Sequence, residues 1–226
     1  MRVDLHVHTK YSGDCTFQPE KLIEFCKKNK IECIAVTDHD TTEGAFIVQK
    51  MAPFKVIIGE EIRTLDGEII GLFLKEMVPS GLSSEETIKR IKDQGGLVSV
   101  PHPFSYFRRE AIDTEKLEQI CDQIDIVECY NGRNFLFFEN ARAIKFASEK
   151  NKIMGAGSDS HHQTEIGNVY IEMKDFNSKE EFLESLKKGK IVLSPYSRRI
   201  GSFLIEASLF LVWIKLYKLF NIKHKK

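Results

Sequence analysis

The chain has 226 residues, 42% of them apolar and 29% charged, with 33 acidic side chains against 33 basic ones. That length supports one large domain or two small ones around a substantial core. A net charge of zero excludes a global basic field for nucleic acid, so any such contact has to be local.

Arg2–His6 reads as the first strand and ends in His6-Val7-His8. Thr16 is the expected cap of a helix with Pro19 in its first turn. Cys33–Val36 is a buried-strand run ending in Thr37-Asp38-His39-Asp40. Thr42–Met51 reads as a second helix, closed by Pro53. Phe54–Ile58 is a strand ending in Gly59-Glu60-Glu61, and the turn signal Leu65-Asp66-Gly67-Glu68 predicts Ile69–Leu74 folding back as a hairpin. Ser83-Ser84-Glu85-Glu86 and Ser178-Lys179-Glu180-Glu181 are capping boxes opening helices to about Asp93 and Lys188. Between them lie strands Leu97–Val100, Ile124–Val127, Ile153–Ala156 and Asn168–Met173, with helices Thr114–Cys121 and Phe135–Lys150. Ile191–Leu193 is the last strand. This β/α alternation of about seven buried strands predicts a parallel sheet. Functional groups gather at the carboxyl ends of such strands, and convergence of many clusters favours a closed or nearly closed β/α barrel.

Five cysteines (Cys15, Cys26, Cys33, Cys121, Cys129) make an odd set without a CxxC pair, which predicts free thiols and a cytoplasmic setting. A strand signal directly after Met1 leaves no signal peptide to be read. The histidines are more informative. Six of the seven fall in four short clusters, His6/His8, His39, His102 and His161/His162, each after a β-like run. In an extended chain residues i and i+2 share a face, so His6 and His8 project together. With Asp14, Glu61, Glu128 and Asp159 the strand-end set is five imidazoles and four carboxylates: His6, His8, Asp14, His39, Glu61, His102, Glu128, Asp159 and His161. Mixed nitrogen and oxygen donors suit Zn²⁺, Mn²⁺ or Fe²⁺, and nine are too many for one ion, so two or three divalent ions are expected.

The stretches Asp4-Leu5-His6-Val7-His8-Thr9, Thr37-Asp38-His39-Asp40, Gly59-Glu60-Glu61, Pro101-His102-Pro103 and Gly157-Ser158-Asp159-Ser160-His161 occur in an order that resembles the PHP superfamily, the polymerase and histidinol phosphatase phosphoesterases. The resemblance implies a distorted (β/α)7 barrel over residues 1–200, with an apolar C-terminal helix and basic tail over 201–226. It implies one ion on His6, His8, Glu61 and Asp159, a second on Glu61, His102 and Glu128, and a third on Asp14, His39 and His161. The implied reaction is hydrolysis of phosphate esters by a metal-bound hydroxide. Two departures stand out. The stretch from Glu61 to His102 lacks the inserted helical subdomain of exonuclease and nucleoside-bisphosphate members, and Glu68 stands where some members have histidine.

For the substrate, Arg133, Arg198 and Arg199 follow strand ends and offer planar forks for phosphate. Arg63 lies just past Glu61. Phe104, Tyr106 and Phe107 beside Arg108-Arg109 could stack a base. The expected substrates are nucleotide or oligonucleotide 5′-phosphates; a histidinol-phosphate-type small phosphoester and a non-catalytic PHP module are the alternatives, and no stable nucleic-acid complex is expected. The C-terminal run Phe203–Phe220, broken by Glu206, Lys215 and Lys218, is a poor membrane span. It is read as packing on the barrel, with weak membrane or dimer contact as its other uses.

Overall fold

The computed structural model describes residues 1–134 and 137–193. The expected 201–226 helix, Arg198 and Arg199 lie outside them. Fifteen elements follow in order: β1 (Arg2–Val7), α1 (Pro19–Lys28), β2 (Cys33–Val36), α2 (Glu43–Met51), β3 (Lys55–Thr64), β4 (Gly67–Leu72), α3 (Ser84–Asp93), β5 (Leu97–Val100), α4 (Thr114–Ile120), β6 (Ile126–Asn131), α5 (Phe137–Glu149), β7 (Ile153–Gly157), β8 (Val169–Glu172), α6 (Lys179–Lys187) and β9 (Lys190–Leu193).

The nine described strands form one sheet in the order β7-β6-β5-β4-β3-β2-β1-β8-β9. It is not all parallel. β4 runs antiparallel to both β3 and β5, and β8 antiparallel to β1 and β9. A two-residue turn can only reverse a chain, so the β3–β4 hairpin inserts an antiparallel strand into the parallel ring. The seven strands β1–β7 close on themselves at the mouth. The edge of β1 is divided: Arg2 and Val3 pair with β8, while His6 and His8 pair with the residues just past β7. There Asp159 N–H donates to His6 O (2.8 Å) and His8 N–H to Ser160 O (3.0 Å). The expected seven-stranded barrel is therefore a distorted ring, with an antiparallel β8–β9 pair, joined through α6, added beside the start of β1.

Two apolar clusters hold this ring. The outer one packs Val36, Ile62, Ile69, Val98 and Val127 against Leu22, Val48, Ile88, Ile91, Leu117 and Ala147 of the surrounding helices. The inner one fills the floor with Leu5, Ala35, Ile57, Ile70, Leu72 and Ile126, closed below by Phe182 and Leu186 of α6. Each strand thus feeds one cluster per face, as the two-residue period requires. Burial of a leucine or phenylalanine at these positions contributes roughly 1.5–3 kcal/mol.

The two capping boxes form as expected, whereas α1 and α2 start without a side-chain cap bond. Ser83 Oγ accepts from Glu86 N–H and Ser178 Oγ from Glu181 N–H, both at 3.2 Å. The Thr16 cap is corrected: α1 starts after Gln18, which makes no side-chain cap bond, because Pro19 at the first helical position sets the backbone by itself. Strand lengths differ more. β3 runs six residues past Ile58, since pairing with β2 stops there and pairing with β4 takes over from Gly59. Glu61 therefore sits inside a strand rather than beyond its end. At the hairpin tip Gly67 has φ 124°, and a Cβ there would lie 2.4 Å from Ile112 Cα, so only glycine lets the tip tuck under the 108–113 loop.

Candidate metal centre

The centre is built at the mouth of the ring, above the apolar floor. A register shift in β1 between Asp4 and Val7 allows Leu5 to join the floor while His6 and His8 face the mouth. Both histidines are fully buried. Glu128 Oε1 sits 3.0 Å from His6 Nδ1, and an ionised carboxylate only accepts, so Nδ1 carries the proton and Nε2 presents a lone pair. Ser12 Oγ lies 2.9 Å from His8 Nδ1 and orients that ring in the same way. The two Nε2 atoms are 3.0 Å apart. Glu61 Oε2 lies 3.1 and 3.2 Å from them, and Asp159 Oδ1 3.6 and 3.4 Å. Four ligands at ~2.1 Å around a tetrahedral ion stand about 3.4 Å apart, so this spacing suits one common cation.

Glu61 reaches two ways. Its Oε2 faces His6 and His8, and its Oε1 lies 3.0 Å from His102 Nε2. Beside it stands Glu68, whose Oε1 is 3.4 Å from His39 Nδ1 and whose Oε2 is 3.6 Å from His102 Nε2. Nearer the solvent, Asp14 Oδ2 lies 3.1 Å from His161 Nε2 and 3.4 Å from His39 Nε2. Donor atoms gather in three sets: His8, Asp14, His39 and His161; His6, His8 and Glu61; and His39, Glu61 and Glu68. His102 and Asp159 take backbones of φ 29° and 52°, which only firm surroundings hold in place.

Glu128 does not join these sets, a departure from the expected ligand set of the second ion. A register shift in β6 after Glu128 turns Asn131 inward beside it. Glu128 Oε2 accepts from His102 N–H (2.8 Å) and from Asn131 Nδ2 (2.9 Å), while Oε1 holds His6. With both oxygens engaged, Glu128 is placed to orient His6 and the backbone that carries His102. Glu128→Ala is expected to lower divalent-ion affinity ~10–100-fold by freeing the His6 ring, read by titration against a competing chelator. Unchanged affinity would contradict this role.

Two arginines border the cluster. Arg108 Nη2 lies 2.5 Å from Asp159 Oδ2, and Arg133 Nη1 lies 2.7 Å from His161 Nδ1 and 3.8 Å from Asp159 Oδ1. With Arg63, which is paired to Asp40 (2.6 Å), they line a cleft of about 600 Å³ over the histidines. Arg108 belongs to an irregular loop and Asn131 to a bulged strand end, so neither is marked by spacing in the sequence. Of the aromatic residues, Phe104 packs on Phe146 with Arg142 over its ring, while Tyr106 and Phe107 are exposed. His162 turns away to Thr164 Oγ1.

The electrostatics describe a site built for cations. Burial pushes the Asp159 and Glu61 carboxyls up, but facing His6, with Arg108 at Asp159 and His102 at Glu61, outweighs it and holds both well below the usual range. Burial lowers the His8 ring, but Asp159 and Glu61 outweigh it and lift it to about 9. Burial and then the Glu61 charge push Glu68 up to about 9. Asp159 Oδ1, His39 Nδ1 and His102 Nδ1 are buried without a hydrogen-bond partner. Converging lone pairs, orphaned polar atoms and a mixed nitrogen and oxygen donor set fit divalent ions.

Residues 138–191 match the family described as PHP-associated. An uncharacterised protein of Methanocaldococcus jannaschii, MJ0417, is 36% identical over 200 residues, 83% of this chain and 79% of the relative. Among solved structures, one described as a metal-dependent phosphoesterase from Bifidobacterium adolescentis superposes with a TM-score of 0.60 at 17% identity, over 71% of this chain and 88% of that one. A lesion-specific endonuclease from Pyrococcus furiosus gives 0.60 at 16% identity, over 84% of this chain and 58% of the other. At such identities the solved structures speak to the fold. The PHP-associated match, the relative at 36% identity and the ordered histidine and carboxylate motifs show that this chain belongs to the PHP superfamily.

Proposed function

We infer that the protein is a metal-dependent hydrolase of phosphate esters, acting on nucleotide or oligonucleotide 5′-phosphates. The observation that carries this reading is the pairing of a polydentate anionic cluster with two arginines on the same cleft wall. His6, His8, Glu61 and Asp159 would hold one ion, and Asp14, His39 and His161 another. Divalent ions there would supply positive charge at the phosphoryl oxygens and a water acidic enough to ionise near neutral pH. The chain's own groups do the rest. Arg108 and Arg133 offer N–H forks to non-bridging oxygens where charge accumulates. Asn131 Nδ2 donates to Asp159 Oδ2 (3.1 Å) and its backbone N–H donates to Asn140 Oδ1 (3.3 Å), which fixes the strand end that leads into Arg133. Exposed Tyr106 and Phe107 on the Arg108 loop offer aromatic surface to a base. The Pyrococcus furiosus structure, a lesion-specific endonuclease, is consistent with a nucleic-acid phosphate as substrate.

A second reading rests on a neighbouring groove of about 810 Å³ that shares Arg63, Glu68 and Glu110 with the cleft. It carries five carboxylates against three cationic side chains, which suits an amine-bearing leaving group such as that of histidinol phosphate better than a second phosphate. The test is a panel of phosphoesters given to the protein reloaded with Mn²⁺ or Zn²⁺. Mononucleotide release from a 5′-phosphorylated oligomer supports the first reading, and preference for histidinol phosphate the second. No turnover on any phosphoester would overturn both and leave the module without catalysis. Arg133→Ala is expected to lower kcat/KM ~10–100-fold, the loss of one charge-assisted hydrogen bond, with unchanged metal content. Steady-state kinetics beside elemental analysis checks it, and an unaltered kcat/KM would remove Arg133 from the site.

A further inference from the structure

We propose that the second ion position is formed by Glu61, Glu68 and His102, with Glu68 as its distinguishing ligand, and that this oxygen-rich position is the one most selective for Mn²⁺ in the centre. The proposal deepens the hydrolase reading and rests on it for the presence of a metal centre. Glu61 and Glu68 lie on opposite strands of the β3–β4 hairpin. The pairs Glu61↔Ile70 and Arg63↔Glu68 make them diagonal neighbours on one face. Both are buried, at 1% and 4% exposure. His102 Nε2 faces the two at once, 3.0 Å from Glu61 Oε1 and 3.6 Å from Glu68 Oε2.

The other candidates are engaged elsewhere. Glu128 accepts from three donors on its two oxygens. The His39 ring turns Nε2 to Asp14 (3.4 Å), while its Nδ1 lies 3.4 Å from both Glu61 Oε2 and Glu68 Oε1. With Nε2 turned to Asp14, His39 belongs to the outer position. Of the arginines on the cleft, Arg108 is committed to Asp159 and Arg63 to Asp40. Two buried carboxylates pointing at one imidazole, with no fixed cation between them, are a cation site.

Donor chemistry then separates the positions. His6, His8, Glu61 and Asp159 offer two nitrogens and two oxygens, and Asp14, His39 and His161 two nitrogens and one oxygen. Glu61, Glu68 and His102 offer one nitrogen and two oxygens. Imidazole suits Zn²⁺, whereas carboxylate suits Mn²⁺. Zn²⁺ outcompetes Mn²⁺ at most sites by raw affinity, so the selectivity is a matter of order: Zn²⁺ takes the histidine-rich positions first.

The full chain, stripped and reloaded with Mn²⁺, is titrated with Zn²⁺ while bound Mn²⁺ is followed by electron paramagnetic resonance and by elemental analysis after gel filtration. One Mn²⁺ per chain is expected to leave last, needing at least ~10-fold more free Zn²⁺ than the others. Glu68→Gln, which keeps the shape, is expected to lack that last Mn²⁺ from the start and to keep the rest. Glu68→His is expected to fold, to hold as many ions as the parent and to release its Mn²⁺ in the same step as the other positions. Displacement of all Mn²⁺ in one step from the parent, or a last Mn²⁺ that persists in Glu68→Gln, would overturn the assignment. Failure of the parent to bind any divalent ion would instead overturn the hydrolase reading on which it rests.

Discussion

Glu61→Gln is expected to reduce kcat/KM by at least ~10³-fold, about 4 kcal/mol of transition-state stabilisation, while the protein stays folded. Glu61 lies at the centre of the cluster, with Oε1 facing His102 at 3.0 Å and Oε2 facing both His6 and His8 at 3.1 and 3.2 Å. Glutamine keeps the volume but gives up the charge, and it presents an N–H₂ group to one of two nitrogen faces that need an anion or a cation. The floor below, built on Ile57 and Ile70, does not depend on it. Kinetics with metal analysis checks the expectation, and circular dichroism confirms the fold. A variant within tenfold of the parent would remove Glu61 from the centre of the chemistry.

Chelation is expected to have the largest effect on stability. A folded state that holds ions at about 1,000 times their Kd gains ~4 kcal/mol over the stripped protein. For a chain of this size that is about 10 °C in Tm. The stripped protein should also show a pH dependence of definite sign. His6 lies well above its ordinary value and His8 near 9, so their contribution is complete below pH ~6.5 and is lost as pH rises through 9. Glu61 and Asp159 are held low, so their contribution is present above pH ~4.5 and is lost as pH falls. Thermal melts from pH 5 to 9.5 should therefore fall on the alkaline side for the stripped protein and stay flat for the loaded one, where cations replace the ring protons. Identical melts with and without chelator would mean that the histidines are not a metal centre.

The three coarse features that local chemistry controls were legible in the sequence. The two-residue period of His6 and His8 places them on one face whatever lies above, and Ser83 and Ser178 cap their helices through bonds that span three residues. The alternation of apolar strands and amphipathic helices implies a largely parallel sheet, and the convergence of the strand-end clusters favours its closure into a ring. The ordered motifs also pick out His6, His8, His39, Glu61, His102, Asp159 and His161, and the resemblance adds Asp14; the fold gathers them into one cluster. Tertiary structure decided what depends on pairing between distant segments. β3 continues past Ile58 only because β4 replaces β2 as its partner, and that same switch sets Glu68 beside Glu61. The shift in β6 makes Glu128 a support for His6 and turns Asn131 inward, which a strict two-residue alternation does not show. Arg108 arrives on an irregular loop with no period to read, and reaches Asp159 51 positions along the chain. Residue type and spacing name the donors; which donors share an ion depends on strand register, and register is set by contacts between segments far apart in sequence.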